Sequence, residues 1–188
     1  GERGSAPQYF TRFGDTVSFL ADDGIRGQEL WRTDGTPQGT QLLLNINVGR
    51  ASSDPRKCVG LGNSVLCEAD DGVHGRELWR SDGTADGTYL VKDLYEGEFD
   101  SVPYMIGEIN GRCLLWAMRE VRVNRLWITD GTPGNTVSVD GPPPSADVST
   151  GDDSRVASID ERILVFLMHD SSQSELWRSD GTPEGTFS

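Results

Sequence analysis

The sequence predicts an all-β protein: a β-propeller of four repeats of about 48 residues, each a four-stranded antiparallel blade. Three observations predict it. First, the string GQELWRTDGTPQGTQLLLNI recurs as GRELWRSDGTADGTYLVKDL, more weakly as NRLWITDGTPGNTVSV, and again as SELWRSDGTPEGTFS. The repeat tryptophans Trp31, Trp79, Trp127 and Trp177 stand 48, 48 and 50 residues apart, and Trp116 alone lies outside the series. Second, each copy carries hairpin signals upstream of its tryptophan. Third, 23 glycines and nine prolines punctuate a chain without helical periodicity. The blades run over about 1–50, 51–99, 100–147 and 148–188 of one domain, 1–188. A β-solenoid is the alternative, but its rungs are usually shorter and lack tight antiparallel hairpins.

The first two strands of each copy form a hairpin with Gly14-Asp15, Gly62-Asn63, Asn110-Gly111 or Asp160-Glu161 as its two-residue loop. That register sets Phe10 opposite Phe19, Cys58 opposite Cys67, Ile106 opposite Leu115 and Val156 opposite Val165. The inward face of the second strand then reads Val17, Phe19, Ala21; Val65, Cys67, Ala69; Cys113, Leu115, Ala117; and Ile163, Val165, Leu167. Trp116, at the position of Leu20, Glu68 and Phe166, falls on the less apolar face and is expected to be partly exposed.

The ELW strand comes next. Its tryptophan, inside an alternating strand, points to packing between blades, with a sugar-binding platform as the other reading. Glu29, Glu77 and Glu175 precede Arg32, Arg80 and Arg178 by three residues; copy three has Arg125 and Ile128 instead. Residues three apart on a strand face opposite sides, so these charges are expected to tie neighbouring strands or repeats. Asp34, Asp82, Asp130 and Asp180 open a DGT turn, where Asp accepts nearby backbone N–H groups, or alternatively binds a cation. A last strand such as TYLVKDL follows; copy four reads only TFS there, so its outer strand is expected to be short.

The strings ELWRTDGT and ELWRSDGT, each followed by GT, resemble the ELWxxDGT repeat, a hyalin-like repeat found in tandem arrays in bacterial, often secreted or surface, proteins. Copies one and two also carry ADDG and G-x-ELW; copy four has LMHD in place of ADDG, and copy three has Arg125 in place of Glu. The resemblance covers essentially the whole chain and implies a propeller-like extracellular or cell-surface module with no catalytic residues to carry over.

Seventeen Lys and Arg against 30 Asp and Glu give a net charge of −13, which argues against nucleic acid or an anionic membrane as partner. No run of apolar residues is long enough for a spanning helix. Asp22, Asp23, Asp70 and Asp71 recur in the loop between the second and third strands, and their oxygens suit Ca²⁺. The same loop face carries Arg26, His74, Arg76, Arg119 and His169, the expected contacts for a protein or glycan ligand. Cys58 and Cys67 are placed for a cross-strand disulfide or packed as small hydrophobes, while Cys113 is expected to be an inert buried thiol. No zinc spacing, nucleophile elbow, P-loop or dinucleotide fingerprint occurs, so the chain is expected not to be an enzyme and to need no cofactor beyond possible Ca²⁺.

The leading reading is a non-catalytic binding or adhesion module. A calcium-stabilised structural repeat and a hydrolase or lyase on a propeller scaffold are the alternatives. The four blades either close alone or join a larger ring completed by a second chain or further blades.

Overall fold

The computed structural model describes residues 4–121, 123–139, 156–159, 162–169 and 174–188. Among them the only helical segment is a 3₁₀ turn, Pro133–Asn135, so no helix is long and apolar enough to cross a membrane. The rest of the described residues form antiparallel strand, turn or loop.

Copy one forms β1 (Gln8–Phe13), β2 (Thr16–Asp22), β3 (Gln28–Thr33) and β4 (Gln41–Leu44), hydrogen-bonded in that order. Copy two repeats it as β5 (Arg56–Leu61), β6 (Ser64–Asp70), β7 (Arg76–Ser81) and β8 (Tyr89–Lys92), and copy three as β9 (Tyr104–Ile109), β10 (Arg112–Glu120), β11 (Val123–Thr129) and β12 (Val137–Val139). In copy four, β13 (Val156–Ile159), β14 (Ile163–His169) and β15 (Ser174–Ser179) form three strands, and a single bridge from Arg178 to Phe187 stands where a fourth would run. Sequential meanders of this kind are propeller-like blades. The chain divides into two compact units, Gly1–Val102 and Pro103–Ser188, of two blades each.

Three hairpins turn at the expected pairs, Phe13 pairing with Thr16, Leu61 with Ser64 and Ile109 with Arg112. Asn110 and Gly111 take φ of 50° and 71°, the two left-handed residues that a type I′ turn requires. Beyond the turn, the simple register expected from sequence needs correcting. Tyr9 and Phe10 together oppose Phe19, Lys57 and Cys58 together oppose Cys67, and Met105, not Ile106, pairs with Leu115. The same β-bulge thus recurs in three copies, leaving one extra residue on the first strand. Across it, the Phe10 and Phe19 rings stack at 5.5 Å, and Cys58 and Cys67 form a disulfide.

Copy four departs further. Ile159 pairs with Ile163, so three residues separate the strands where two were expected; the predicted loop residues Asp160 and Glu161 lie outside the described residues. Val156 consequently pairs with Phe166 rather than Val165. One extra turn residue moves the following strand by one position and exchanges its faces. Phe166, not Val165, therefore pairs with Trp177, as Phe19, Cys67 and Leu115 pair with Trp31, Trp79 and Trp127.

Within each unit the core lies between consecutive blades. In the first, Phe13, Leu30, Leu43 and Ile46 of blade one pack against Val65, Cys67, Ala69 and Trp79 of blade two. In the second, Leu114, Trp116, Leu126 and Ile128 of blade three meet Leu164, Phe166 and Trp177 of blade four. Trp116, expected to be partly exposed, is only 4% exposed, because the face it occupies is covered by blade four.

The DGT motif builds one turn four times. Asp34 Oδ1 accepts from the backbone N–H of Thr36 at 2.9 Å and from its hydroxyl at 2.7 Å, and the equivalent bonds of Asp82, Asp130 and Asp180 measure 2.6–3.0 Å. These bonds hold the four carboxyls below the usual range; burial acts against them, and is the largest influence at Asp130. A Cβ on Gly39, Gly87 or Gly185 would lie 2.0 Å from the Asp carboxylate of its own turn, which accounts for glycine there. Copy three has Asn135 at that position: the loop becomes the 3₁₀ turn, and Asn135 Nδ2 donates to Asp130 Oδ2 at 2.6 Å.

Candidate binding face

In the first unit, the β2–β3 and β6–β7 loops lie beside the junctions leading out of β4 and β8. The ADDG residues shape these loops by accepting from their own backbone. Asp22 Oδ1 accepts from Gly24 N at 2.6 Å, and Asp23 Oδ1 from Ile25 N and Arg26 N at 2.8 and 2.9 Å. Asp70 and Asp71 repeat this with Gly72, Val73 and His74 at 2.7–2.9 Å. Each second Asp also closes on a side chain three residues ahead: Asp23 pairs with Arg26, and Asp71 Oδ2 meets His74 Nδ1 at 2.7 Å.

The N–H bonds of Arg26 and Ile25 hold the Asp23 carboxyl below the usual range. Burial pushes Asp71 up, but the N–H and ring of His74 outweigh it and leave Asp71 low; the same bond raises His74. The oxygens proposed for Ca²⁺ are thus engaged in local turns, and among the described residues no group of three or more acidic, His or Cys side chains is arranged to hold a metal ion.

Arg76 also has partners: Asp54 at 2.7 Å and the buried Glu68 at 3.2 Å, while Lys57 reaches Glu68 from the other side at 2.9 Å. Glu68 occupies a position that is Leu20 in copy one, and this ring of opposite charges compensates its burial. Arg119 and His169 belong to the second unit and lie within strands β10 and β14, not in loops. Cys113 is buried, and burial pushes its thiol up to about 12, which suits an inert side chain.

Sequence reasoning singled out Glu29 and Glu77 as ties between repeats but missed which groups they hold at the junctions. Glu29, fully buried, accepts from Ile46 N at 3.0 Å, Ser53 N at 3.1 Å and Ser53 Oγ at 2.6 Å. Glu77 does the same with Leu94 N, Ser101 N and Ser101 Oγ at 2.8, 3.1 and 2.7 Å. The tie from each glutamate therefore runs to the backbone of the connection to the next repeat, and not to the arginine. Burial raises both carboxyls, Glu77 to about 7. The signal was present as a serine 24 residues after each glutamate, in SDP and SVP.

What remains at the surface is apolar as well as charged. Ile25, Val48, Val73 and Phe99, all in these loops and junctions, are 57–86% exposed. Two equivalent hollows open there, of about 280 and 320 Å³. Asp22, Ile25, Gly27 and Arg50 line the first; Asp70, Val73, Gly75, Glu98 and Asp100 line the second.

Comparison with protein-family models and with curated proteins finds no match. Solved structures similar in fold include a puromycin hydrolase, at TM-score 0.58 and 18% identity over 93% of this chain and 27% of that one. Another comes from work on two prolyl endopeptidases, at TM-score 0.54 and 15% identity over 97% of this chain and 27% of that one. A puromycin-hydrolysing peptidase of Mycobacterium tuberculosis follows, at TM-score 0.51 and 12% identity over 93% and 27%. This chain spans about a quarter of the length of these proteins, and at such identities the likeness is one of fold alone: an all-β, propeller-like arrangement of antiparallel blades.

Proposed function

We propose that this chain is a non-catalytic binding module that acts outside the cell or at its surface, using the loop face of its first two repeats to hold a protein or glycan. The exposure of Ile25 and Val73 on loops held by their own Asp side chains, and of Val48 and Phe99 on junctions held by the buried Glu29 and Glu77, carries this reading. Apolar side chains displayed on a fixed frame suit recognition, since little entropy is lost on binding. The Cys58–Cys67 disulfide suits an oxidising compartment, and the ELWxxDGT resemblance points the same way.

The test applies labelled protein to glycan and peptide arrays beside a variant carrying Ile25→Ser, Val48→Ser, Val73→Ser and Phe99→Ser. A signal lost in the variant at unchanged melting temperature is expected. Equal signals would overturn the loop-face assignment, and turnover of any arrayed peptide or glycan would overturn the non-catalytic one.

A larger ring, completed by a second chain or further blades, is a second reading favoured by the edge of β15. Leu176 is 62% exposed there, whereas Leu30, Leu78 and Leu126, paired with outer strands β4, β8 and β12, are at most 2% exposed. Mass in solution tests it: 20.5 kDa fits a closed monomer, and a multiple of it a completed ring.

A further inference from the structure

The two junctions of the first unit run in step, 48 residues apart. Ile46 and Leu94, Gly49 and Gly97, and Ser53 and Ser101 coincide, and these residues make the frame. Between them the second junction changes character. Asn47, Val48, Arg50, Ala51 and Ser52 become Tyr95, Glu96, Glu98, Phe99 and Asp100. A junction whose Arg50 and Asp54 balance is thus followed by one that carries Asp93, Glu96, Glu98 and Asp100 with no basic residue over 93–102.

Of these only Asp93 is tied to a frame glycine, its Oδ2 accepting from Gly97 N at 3.0 Å, and the frame does not require the others to be acidic. Asp100 Oδ1 accepts from Arg76 N at 2.8 Å, a bond that Ser52 Oγ makes equally well with Gln28 N at 3.0 Å in the first repeat. The second junction also displays an aromatic pair: Tyr95 and Phe99 stack at 4.8 Å between ring centres, with Phe99 57% exposed. Glu98 and Asp100, on either side of Phe99, line the hollow with the exposed Val73. The backbone there is pinned, because Gly75, at φ 71°, approaches so closely that a Cβ would lie 2.8 Å from the Phe99 carbonyl.

An aromatic shelf with carboxylates on both sides complements a chain segment that presents a cation beside an apolar side chain. Aliphatic stems of Lys or Arg lie along a ring while their heads reach the acids. We propose that the second junction docks a basic, apolar-containing peptide segment, with Phe99 and Val73 as the apolar contact and Glu96, Glu98 and Asp100 as the charge complement. This rests on the loop-face reading and names its partner as a polypeptide with clustered Lys or Arg.

The experiment titrates the intact protein with a labelled peptide of alternating Lys and Phe, its Glu and Phe counterpart, and a neutral hexasaccharide. The Lys peptide is expected to bind one to one and to weaken about tenfold between about 50 and about 300 mM salt. Glu98→Arg with Phe99→Ala installs the first repeat's own residues, so the fold is kept, and weakens binding about tenfold or more. Arg50→Glu with Ala51→Phe, the reciprocal exchange, is expected to add a second site.

Failure of the Lys peptide to bind at low salt overturns the proposal, as does equal binding of the Glu peptide. Competition by the hexasaccharide overturns it in favour of a sugar platform. If Ile25→Ser with Val48→Ser weakens the Lys peptide while Glu98→Arg with Phe99→Ala does not, the loop face stands and the second junction is wrong. If neither pair of changes matters, both readings fall.

Discussion

At the first junction Glu29 gathers the amides of Ile46 and Ser53 and the Ser53 hydroxyl at 3.0, 3.1 and 2.6 Å; at the second Glu77 gathers their counterparts at 2.8, 3.1 and 2.7 Å. Around these matching frames the solvent faces diverge, from Arg50, Ala51 and Ser52 to Glu98, Phe99 and Asp100. The difference teaches where this repeat tolerates change. Buried donors and acceptors must be paired wherever the chain passes, whereas a side chain projecting into water is free to alter. The copy lacking this glutamate, with Arg125 in its place, lies in the other compact unit, so the frame does not run through all four repeats.

The largest effect expected is loss of the frame itself. Glu29→Ala or Glu77→Ala strands three buried donors and is expected to cost about 3–5 kcal/mol at pH about 5, read from urea unfolding. Near-equal losses would sharpen the equivalence of the junctions, and a gap beyond about 2 kcal/mol would break it.

Acidity tests the same frame next. Glu77, raised from 4.5 to about 7 by burial, holds its proton more tightly folded than unfolded. Its contribution is therefore fully present below about pH 4.5, is lost as pH rises toward 7, and amounts to roughly 3 kcal/mol. Glu29 and His74, both raised, act in the same direction, the latter over a higher range. The urea midpoint is expected to fall between pH 5 and 8, and Glu77→Gln to flatten that fall; parallel curves for the two proteins would exclude Glu77 as the source.

The hairpins offer a smaller contrast. Reducing Cys58–Cys67, which closes a span of nine residues, is expected to cost about 2–3 kcal/mol. Phe10→Ala at the matching place in blade one should cost only about 1 kcal/mol, because a half-exposed ring stack replaces a covalent link. Equal costs would mean that the disulfide adds nothing beyond packing. The smallest effect concerns cations: since Asp22, Asp23, Asp70 and Asp71 already accept from their own loops, a chelator is expected to move the melting temperature by less than about 1 °C. A larger drop would support the calcium-stabilised reading instead.

Much of the blade could be read from residues alone. Trp spacing gives the repeat length, the Asn110-Gly111 pair gives its hairpin, and the DGT turn follows from what Asp, Gly and Thr do locally. What escaped was non-local or one residue wide. The Glu29–Ser53 and Glu77–Ser101 bonds join positions 24 apart, and nothing in a strand pattern shows that a charged residue faces a loop amide. The bulges at Tyr9 and Lys57 and the longer turn after Ile159 each hinge on a single inserted residue.

The sequence by itself determined the period, the strand order within a blade and the turn chemistry, because these depend on side chains acting on backbone a few residues away. Only the tertiary structure decided which face of blade four points inward, that Trp116 is covered, and which carboxylates belong to frame or surface. Each of these depends on packing across a distance, where burial sets the energy of a side chain and sequence neighbours do not.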